Sequence, residues 1–439
     1  MDDLLTSYGA AIERLFARTT GGIKPGLERT EALLAKLGSP HRRLSAIHVA
    51  GTNGKGSVVA TCEAFLRARG FRVGRYTSPH LVDFRERITV DGRPISEQEV
   101  LEFLERWVPV AEQMGATFFE VTTALAFDWL ARQEIDIAVV ETGLGGRLDS
   151  TNVLQPLVAT VTSIGLDHTD LLGNTLEEIA VEKAGIYKHG TPAVVGEPAP
   201  QLRALLERCA EDAGATPVVT VKDEYRIADI EVTGYGTSFT LQRGNDRQRI
   251  ITPLIGEHQA RNTVTAIATL GSVSDGHPEQ SPFGGKYLPP LDQLSDALKS
   301  VFLPGRFQRH GKFIFDVAHN PAGARTVAST MAALNLPRPC VALLAVLADK
   351  DWRGIVTELA PAVDSFVFTD APSAPSERRW NPSEAVAYAR AQGIDAINET
   401  NLDVALDRAQ ELSKTLLVTG SFHTVGDVMS RLQVSPFAA

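Results

Sequence analysis

Apolar residues in the first half of the chain form short unbroken runs separated by longer amphipathic stretches. IAVVE at 137–141, PLVATVTSIGL at 156–166 and TPAVVG at 191–196 are rich in valine and are bounded by Gly, Pro, Asn or Asp. Such runs predict strands that are buried on both faces. Their alternation with helical patterns predicts a parallel sheet whose strands are joined by crossover helices.

Two later segments break this alternation. At 225–256, the stretch YRIADIEVTGYGTSFTLQ alternates apolar and polar residues with glycine between the alternating parts. This pattern predicts a small antiparallel insertion. The segment 272–290 is rich in Gly, Ser and Pro and predicts a loop near a domain boundary.

The strand and helix pattern then resumes in KFIFDV, VALLAVL, SFVFTD and TLLVTG. It predicts an α/β fold with a second, smaller, doubly wound sheet. We place the hinge near Leu303-Pro304-Gly305. The predicted domains are therefore 1–303, a P-loop-containing domain with a parallel sheet and a small antiparallel insertion, and 304–439, a smaller Rossmann-like α/β domain.

Composition excludes several classes of protein. The chain has 439 residues, of which 44% are hydrophobic, and a formal net charge of −10. The negative charge argues against nucleic acid as a partner, because affinity for its backbone comes from clustered Lys and Arg. The apolar runs are too short to span a membrane, and three scattered cysteines predict neither a disulfide framework nor a zinc site. We expect a cytoplasmic monomer.

The stretch HVAGTNGKGSVVATCEAF, residues 48–65, has the composition of a phosphate-binding loop that leads into a helix. Glycines let backbone N–H groups converge on phosphate oxygens, lysine neutralises the outer phosphates, and a hydroxyl helps to hold Mg²⁺. The spacing departs from GxxxxGK[ST], because Gly56 stands between Lys55 and Ser57. A structural turn is the alternative. The predicted phosphate loop consists of Gly51, Thr52, Asn53, Gly54, Lys55, Gly56 and Ser57.

Ionisable residues follow two of the predicted strands. Glu141 ends the run IAVVE, and His168 follows the next run in GLDHTD. A carboxylate at the carboxyl end of a parallel strand near a phosphate loop lies where a Mg²⁺ ligand is needed. The alternatives are a glutamate that caps the following glycine-rich turn and a structural histidine.

Lys183 lies on the apolar face of a predicted helix. In TLEEIAVEKAGIYK, Thr175 and Glu178 have the spacing of a capping box, and Lys183 shares a face with Ile179 and Ile186. Burial lowers the pKa of a lysine, and a neutral amine can react with CO₂ to form a carbamate that ligates a metal. A lysine whose ammonium reaches the solvent is the alternative.

Several motifs together carry a resemblance to a known family. GTNGKGS is similar to the nucleotide loop of the Mur ligase superfamily, and more closely to that of the folylpolyglutamate synthases. VEKAGIYK resembles that family's motif with a carbamylated lysine, which here is Lys183. DVAHNP and GSFHTV resemble the bifunctional bacterial enzymes that also make dihydrofolate. The match extends from Gly51 to about Asp427.

The resemblance implies roles for individual residues. Lys55, Lys183, Arg306 and His319 would be catalytic. ATP would be bound by the phosphate loop together with Asn262, Arg306, Asp316 and His319. Two Mg²⁺ ions would be held by Ser57, Glu141, His168 and carbamylated Lys183, with K⁺ as a further candidate ion. The substrate-binding residues would be Thr77, Ser78, Pro79, His80, Arg85, Glu120, Thr123, Ser421 and His423.

The implied activity is that of an ATP-dependent amide ligase. It would add L-glutamate to dihydropteroate and to reduced folates through an acyl phosphate, with these small molecules as its only partners. Folylpolyglutamate synthesis alone, or another Mur-type amino-acid ligation, is the nearest alternative. A nucleotide-hydrolysing switch and a non-catalytic binding module are alternatives from other classes. The NKxD run that is usual for guanine recognition does not occur in the sequence.

Overall fold

The computed structural model describes residues 8–16, 26–273 and 286–437. Within these ranges the chain forms two α/β sheets and a separate three-stranded antiparallel sheet. This arrangement confirms the predicted fold class. Most of the loop predicted at 272–290 lies outside the described residues.

The first sheet has eight strands. They are β1 (Ala46–Ala50), β2 (Val73–Tyr76), β3 (Ile88–Val90), β4 (Arg93–Pro94), β5 (Ile137–Glu141), β6 (Val158–Val161), β7 (Ala193–Val195) and β8 (Val218–Thr220). Their spatial order is β4-β3-β2-β5-β1-β6-β7-β8. All neighbours pair in parallel except β3 and β4, which add an antiparallel edge. Every residue of β1 and β5 is buried, as expected for strands covered on both faces.

Helices cover both faces of this sheet. They are α1 (Tyr8–Phe16), α2 (Glu28–Lys36), α3 (Lys55–Ala68), α4 (Glu97–Gln113), α5 (Phe118–Arg132), α6 (Thr169–Leu172), α7 (Leu176–Ala184), α8 (Pro200–Asp212), α9 (Val221–Glu224), α10 (Glu257–Ser272) and α11 (Leu294–Leu298). One apolar cluster joins α3 and α10 to the sheet, and a second joins α4 and α5 to its other face.

The antiparallel insertion has the predicted form. It consists of β9 (Arg226–Thr233), β10 (Gly236–Arg243) and β11 (Asp246–Thr252), in the order β11-β10-β9. Phe239, Leu241 and Ile250 are buried and join the same apolar cluster as α3 and α10. The alternating pattern therefore places one face of the insertion against the first domain's core.

The second sheet is smaller. Its strands are β12 (Gln308–His310), β13 (Phe313–Phe315), β14 (Cys340–Leu344), β15 (Ser365–Phe368), β16 (Asp395–Asn398) and β17 (Thr415–Thr419), in the order β12-β13-β17-β14-β15-β16. Its helices are α12 (Pro321–Ala333), α13 (Trp352–Leu359), α14 (Pro382–Ala391), α15 (Leu402–Leu412) and α16 (Phe422–Arg431).

The four central strands of this sheet were predicted, but β12 and β16 were not. Their sequences, QRH and DAIN, are short and partly exposed because both strands lie at sheet edges. Only β12 pairs in an antiparallel way. The domain boundary between 303 and 304 lies in the segment between α11 and β12, and it stays a prediction.

Candidate active site

The predicted phosphate loop connects β1 to α3. Gly51 has φ +146°, and a Cβ atom built there would lie 1.9 Å from Thr162 Oγ1. Gly54 has φ +89°, and its Cβ position is 2.6 Å from Asn262 Oδ1. Residues with side chains do not fit either position. The loop therefore needs its glycines for close backbone approach, as a phosphate cradle does.

Lys55 and Glu141 face each other across this loop. Lys55 Nζ donates hydrogen bonds to the Gly51 and Thr52 carbonyls at 3.1 and 3.3 Å, and lies 3.8 Å from Glu141 Oε1. Glu141 ends β5 and is buried. Burial raises the pKa of its carboxyl, which the charges of Lys55 and Arg306 partly offset. A buried carboxylate whose negative charge is only partly neutralised by the protein is suited to ligating a metal cation.

Lys183 is buried on the inner face of α7, as predicted. Only 5% of the residue is exposed, and the Thr175–Glu178 capping box is present. Burial, with the charge of Lys55, lowers the pKa of Lys183 from 10.5 to about 7. A substantial fraction of this amine is therefore neutral near pH 7, which is the form that reacts with CO₂.

Asp167 connects the two predicted domains, a role that sequence reasoning missed. Its Oδ1 accepts a hydrogen bond from Lys350 Nζ at 2.5 Å, and its Oδ2 lies 3.2 Å from His319 Nε2. Burial alone would raise the pKa of Asp167, but the hydrogen bond from His319 and the nearby positive charges hold it well below its usual value. The signal in the sequence was only the position of Asp167 after a buried strand.

His168 is the most exposed member of the predicted metal set. It has φ +51°, precedes α6, and its side chain is 36% exposed. Burial lowers the pKa of His168 to about 4, with a further lowering from the charge of Lys350 and against the opposing charge of Asp167. The imidazole is therefore neutral near pH 7, the form in which histidine ligates metals.

Arg306, Asp316 and Asn262 lie near the phosphate loop. Arg306 stacks on the Phe422 ring at 5.1 Å, and its Nη2 lies 4.0 Å from the position of a Cβ on Gly56. Burial raises the pKa of Asp316 to about 6, against the opposing charge of Arg306. Asp316 accepts hydrogen bonds from two backbone N–H groups, and Asn262 lies beside Gly54. The structure thus places Asn262 and Arg306 beside the loop and Asp316 within the electrostatic influence of Arg306, and their role in binding ATP stays a prediction.

His319 has acceptors on both sides of its ring. Nδ1 lies 2.8 Å from the Val317 carbonyl oxygen, and Nε2 faces Asp167. Each ring nitrogen therefore faces an oxygen of another residue, which fixes the orientation of the imidazole. The ring centre is 5.8 Å from that of Phe422, another residue that the sequence did not indicate.

A cavity opens beside the phosphate loop. Gly56, Glu141 and Arg306 line it together with Thr77, Ser78 and Pro79 from the predicted substrate loop. The structure therefore brings the end of the phosphate loop and part of the predicted substrate loop to the same cavity. The lining residues are Gly56, Ala60, Glu63, Ala64, Arg67, Arg75, Thr77, Ser78, Pro79, Leu81, Glu86, Gly92, Glu141, Ser300, Phe302, Leu303, Pro304, Arg306, Phe422, Pro436 and Phe437.

The other predicted substrate residues lie outside the lining of this cavity. His80 Nδ1 accepts a hydrogen bond from Arg87 Nε at 2.8 Å, and Arg85 pairs with Asp83 at 2.6 Å. Glu120 pairs with Arg29 at 2.9 Å and caps α5, and Thr123 hydrogen bonds to the Tyr76 hydroxyl at 3.1 Å. Each of these side chains has a structural partner, and its role in substrate binding stays a prediction.

Ser421 and His423 lie at the start of α16. The Ser421 hydroxyl accepts a hydrogen bond from the Thr424 N–H at 3.0 Å and caps the helix. His423 Nδ1 lies 3.0 Å from the Ser373 hydroxyl, and burial lowers the pKa of this histidine. Phe422, which lies between them in the sequence, lines the cavity, and the role of Ser421 and His423 in substrate binding stays a prediction.

Three further findings bear on the sequence predictions. The three cysteines are free. In the described ranges, no group of three or more His, Cys, Asp or Glu side chains could hold a metal ion. The predicted metal set differs from such a group, since it adds Ser57 and a modified lysine to Glu141 and His168. No helix in the described part of the chain is long and apolar enough to cross a membrane.

Comparison with known proteins adds the family. Residues 49–270 match the Mur ligase middle domain, and residues 305–422 match the Mur ligase glutamate ligase domain. The chain is 33% identical to the dihydrofolate synthase/folylpolyglutamate synthase of Bacillus subtilis, over 98% of this chain and 100% of that protein.

Solved structures agree with this similarity. Folylpolyglutamate synthase of Mycobacterium tuberculosis, complexed with ADP and AMPPCP, superimposes with a TM-score of 0.86 at 33% identity, covering 98% of this chain and 100% of that one. A bifunctional folylpolyglutamate synthase/dihydrofolate synthase with Mn, AMPPNP and L-glutamate bound gives 0.83 at 30% identity, covering 99% and 100%. The chain therefore belongs to the Mur ligase family, and within it to the dihydrofolate synthase/folylpolyglutamate synthases.

Proposed function

We propose that this protein is an ATP-dependent ligase that joins L-glutamate to dihydropteroate, forming dihydrofolate, and to reduced folates, extending their glutamate tail. The observation that carries the proposal is the convergence of Gly56, Glu141 and Arg306 on one cavity that the loop 77–79 also lines, with Lys55 Nζ 3.8 Å from Glu141. A phosphate cradle, a buried carboxylate and an arginine from the second domain meet there. The family relationship supports the same activity.

In the first step, an oxygen of the substrate carboxylate attacks the γ-phosphorus of ATP. A carboxyl-phosphate bond forms, the bond between the β- and γ-phosphates breaks, and ADP leaves. Both reactants are anions, so their repulsion is the main obstacle. Lys55 at the phosphate loop and the Arg306 guanidinium beside Gly56 place positive charge where the γ-phosphate would lie.

The residues present fit a divalent cation. Ser57 and Glu141 offer hard oxygen ligands, and among the described residues Lys55 is the one cation within salt-bridge distance of the buried Glu141. His168 and carbamylated Lys183 would complete the ligands of the two ions. Bound Mg²⁺ supplies neutralisation of phosphate charge and orientation of the γ-phosphate. K⁺ as an additional ion stays a prediction.

In the second step, the neutral amino group of L-glutamate attacks the acyl carbon, the amide forms and inorganic phosphate leaves. Ser421 and His423, at the start of α16, are our candidates for holding the incoming amino acid. The acyl phosphate must be shielded from water until this attack. The contacts of Asp167 with His319 and Lys350 hold the second domain against the first and so support such shielding.

The experiment that tests this function measures phosphate release with ATP, Mg²⁺ and L-glutamate, adding dihydropteroate, tetrahydrofolate or neither. We expect turnover with each acceptor and little without one. Turnover with tetrahydrofolate alone would restrict the activity to tail extension, and turnover without any acceptor would favour a nucleotide hydrolase. The predicted monomer is tested by light scattering of the same preparation.

A further inference from the structure

The cavity extends beyond the reaction centre along one face of α3. Gly56, Ala60, Glu63, Ala64 and Arg67 line it, at the spacing of a single helical face. Because the helix rises 1.5 Å per residue, this stripe is about 16 Å long. Phe302, Leu303 and Pro304 line the cavity from the linker. We call this extension, from Gly56 to Arg67, the α3 groove.

Two of the residues that line the groove, Glu63 and Arg75, each have a buried polar atom without a hydrogen-bond partner among the described residues. Arg75 Nη1 donates to Glu63 Oε2 at 2.7 Å, which uses one donor of the guanidinium and one oxygen of the carboxylate. Glu63 Oε1 and Arg75 Nε remain without a hydrogen bond within the described residues, although only 6% of the Glu63 side chain is exposed. Buried polar groups are nearly always satisfied, so such a pair calls for an explanation.

Arg67 lies at the outer end of the groove. Its guanidinium forms no hydrogen bond or ion pair with any part of the chain that the structure describes. One of its nitrogens, Nη1, lies 3.4 Å from the position of a Cβ on Gly92, which therefore leaves space for the arginine. The outer end of the groove thus carries a positive charge that no carboxylate of the described residues pairs with.

These groups match the repeating chemistry of a γ-linked glutamate tail. Each unit of such a tail has an amide N–H, a carbonyl and an α-carboxylate. Glu63 Oε1 can accept from an amide N–H, while Arg75 Nε and Arg67 can donate to carbonyl and carboxylate oxygens. A groove of about 16 Å accommodates about two or three extended γ-linked units.

Tail extension itself requires such a space. The carboxylate that reacts is always the last one, so it must return to the same position beside Glu141 and Arg306 after every addition. The earlier units must then lie elsewhere while the pterin end keeps its own site. The α3 groove opens directly from the reaction centre and is lined by groups of the right polarity.

We propose that the α3 groove binds the polyglutamate tail of reduced folates and that Arg67 recognises a tail α-carboxylate. The proposal rests on the function proposed above. According to this proposal, the contribution of Arg67 to substrate binding increases with the number of glutamates in the tail. Arg67 takes no part in bond formation.

The test compares kcat/KM for dihydropteroate and for tetrahydrofolates that carry one, two or three glutamates. Dihydropteroate has no glutamate, so it serves as the reference substrate within each enzyme preparation. In Arg67→Ala, we expect kcat/KM for the triglutamate, relative to that for dihydropteroate, to fall about fivefold, chiefly through KM. Arg67→Glu should enlarge this loss, and the monoglutamate should be affected least.

Arg69→Ala is the matched control. Arg69 ends the same helix but bonds to the Lys286 carbonyl and does not line the cavity. In Arg69→Ala, kcat/KM for each tetrahydrofolate relative to that for dihydropteroate should equal the wild-type value. An Arg67→Ala ratio that is unchanged, or that falls equally at every tail length, would overturn the groove as the tail site. If the wild-type enzyme turned over none of the acceptors, the proposed function would be overturned, and with it the assignment of the polyglutamate tail to the α3 groove.

Discussion

The ammonium of Lys350 lies 2.5 Å from Asp167 Oδ1, and less than a tenth of either side chain is exposed. Asp167 follows β6 of the first sheet, whereas Lys350 precedes α13 on the second. The second oxygen of Asp167 faces His319 Nε2 at 3.2 Å. A single carboxylate therefore contacts two side chains of the second predicted domain, the Lys350 ammonium and the His319 imidazole, at the edge of the nucleotide site.

We expect Asp167→Asn to weaken this connection strongly. The change leaves the Lys350 ammonium buried without its counter-charge, which typically costs about 3 kcal/mol of unfolding free energy. Calorimetry of the variant checks the loss of stability, and kcat with dihydropteroate checks the effect on closure. The double variant Asp167→Asn/Lys350→Met should recover part of the stability. Asp170→Asn, an exposed change three residues away, is the control and should match the wild type.

Lys183→Met should fold but lose activity. The methionine keeps the buried apolar volume, but it cannot form a carbamate, so the proposed support of the second Mg²⁺ disappears. We expect kcat to fall about 100-fold or more, because metal positioning contributes several kcal/mol to phosphoryl transfer. Phosphate release at saturating Mg²⁺ measures this. Lys188→Met, which removes a half-buried lysine on the same segment, is the control and should retain most activity. Near-normal turnover of Lys183→Met would exclude a role of Lys183 in metal binding.

The unmodified amine of Lys183 should also give the enzyme a pH-dependent stability. Its pKa is about 7 in the folded chain against an ordinary 10.5, so the unfolded chain binds more protons between these values. The free energy of unfolding should therefore rise with pH across this window, by at most about 1.4 kcal/mol per pH unit. Urea unfolding in CO₂-free buffer at several pH values measures this slope. Lys183→Met should abolish this contribution, and an identical slope in that variant would contradict the assignment.

Arg306→Ala should impair the phosphoryl step. The guanidinium beside Gly56 is proposed to compensate negative charge on the γ-phosphate, and its loss should lower kcat/KM for ATP about 100-fold. Arg306→Lys keeps the charge but loses the planar fork, so an intermediate value is expected. Single-turnover formation of ADP checks both variants. Unchanged ADP formation in Arg306→Ala would move the γ-phosphate away from this side chain.

Gly51→Ala should abolish nucleotide binding by distorting the phosphate loop. The added Cβ would lie 1.9 Å from Thr162 Oγ1, at a φ of +146° that alanine rarely adopts. Gly38→Ala is the matched control, because Gly38 also has a positive φ of +79° but nothing within 4 Å of its Cβ position. Calorimetric titration with an ATP analogue should show binding to the control alone. If both variants bound the ATP analogue with equal affinity, the close contact between the Gly51 backbone and Thr162 would not be needed for nucleotide binding.

Much of the architecture followed from local pattern. Unbroken apolar runs identified β5, β6 and β7, because a strand covered on both faces excludes polar residues along its whole length. The period-two alternation at 225–256 identified the antiparallel insertion for the complementary reason, since one face of it is exposed. The edge strands β12 and β16 were missed because a strand that lacks one neighbour and is partly exposed carries little of either pattern.

The residues of the candidate site also fall into two groups, those that local sequence pattern indicates and those that it does not. The glycine loop, Glu141 at a strand end and the buried Lys183 could be found from the sequence, because each is a departure from what its local element would otherwise contain. Their convergence with residues of the second domain followed from the family resemblance alone, and the contact between Asp167 and Lys350 was not predicted. Asp167 and Lys350 are separated by 183 positions, and neither lies in a pattern that requires a partner.

The sequence by itself determined the α/β class, the phosphate loop and the buried lysine, because strand burial, glycine conformation and helical periodicity are local constraints. Only the tertiary structure decided which side chains share the cavity and which are engaged elsewhere. Arg85 and Glu120 illustrate this, since the resemblance assigned both to substrate binding and both are ion-paired within the fold. The physical reason is that a charge is compensated by whatever lies near it in space, and the chain order does not specify that neighbour.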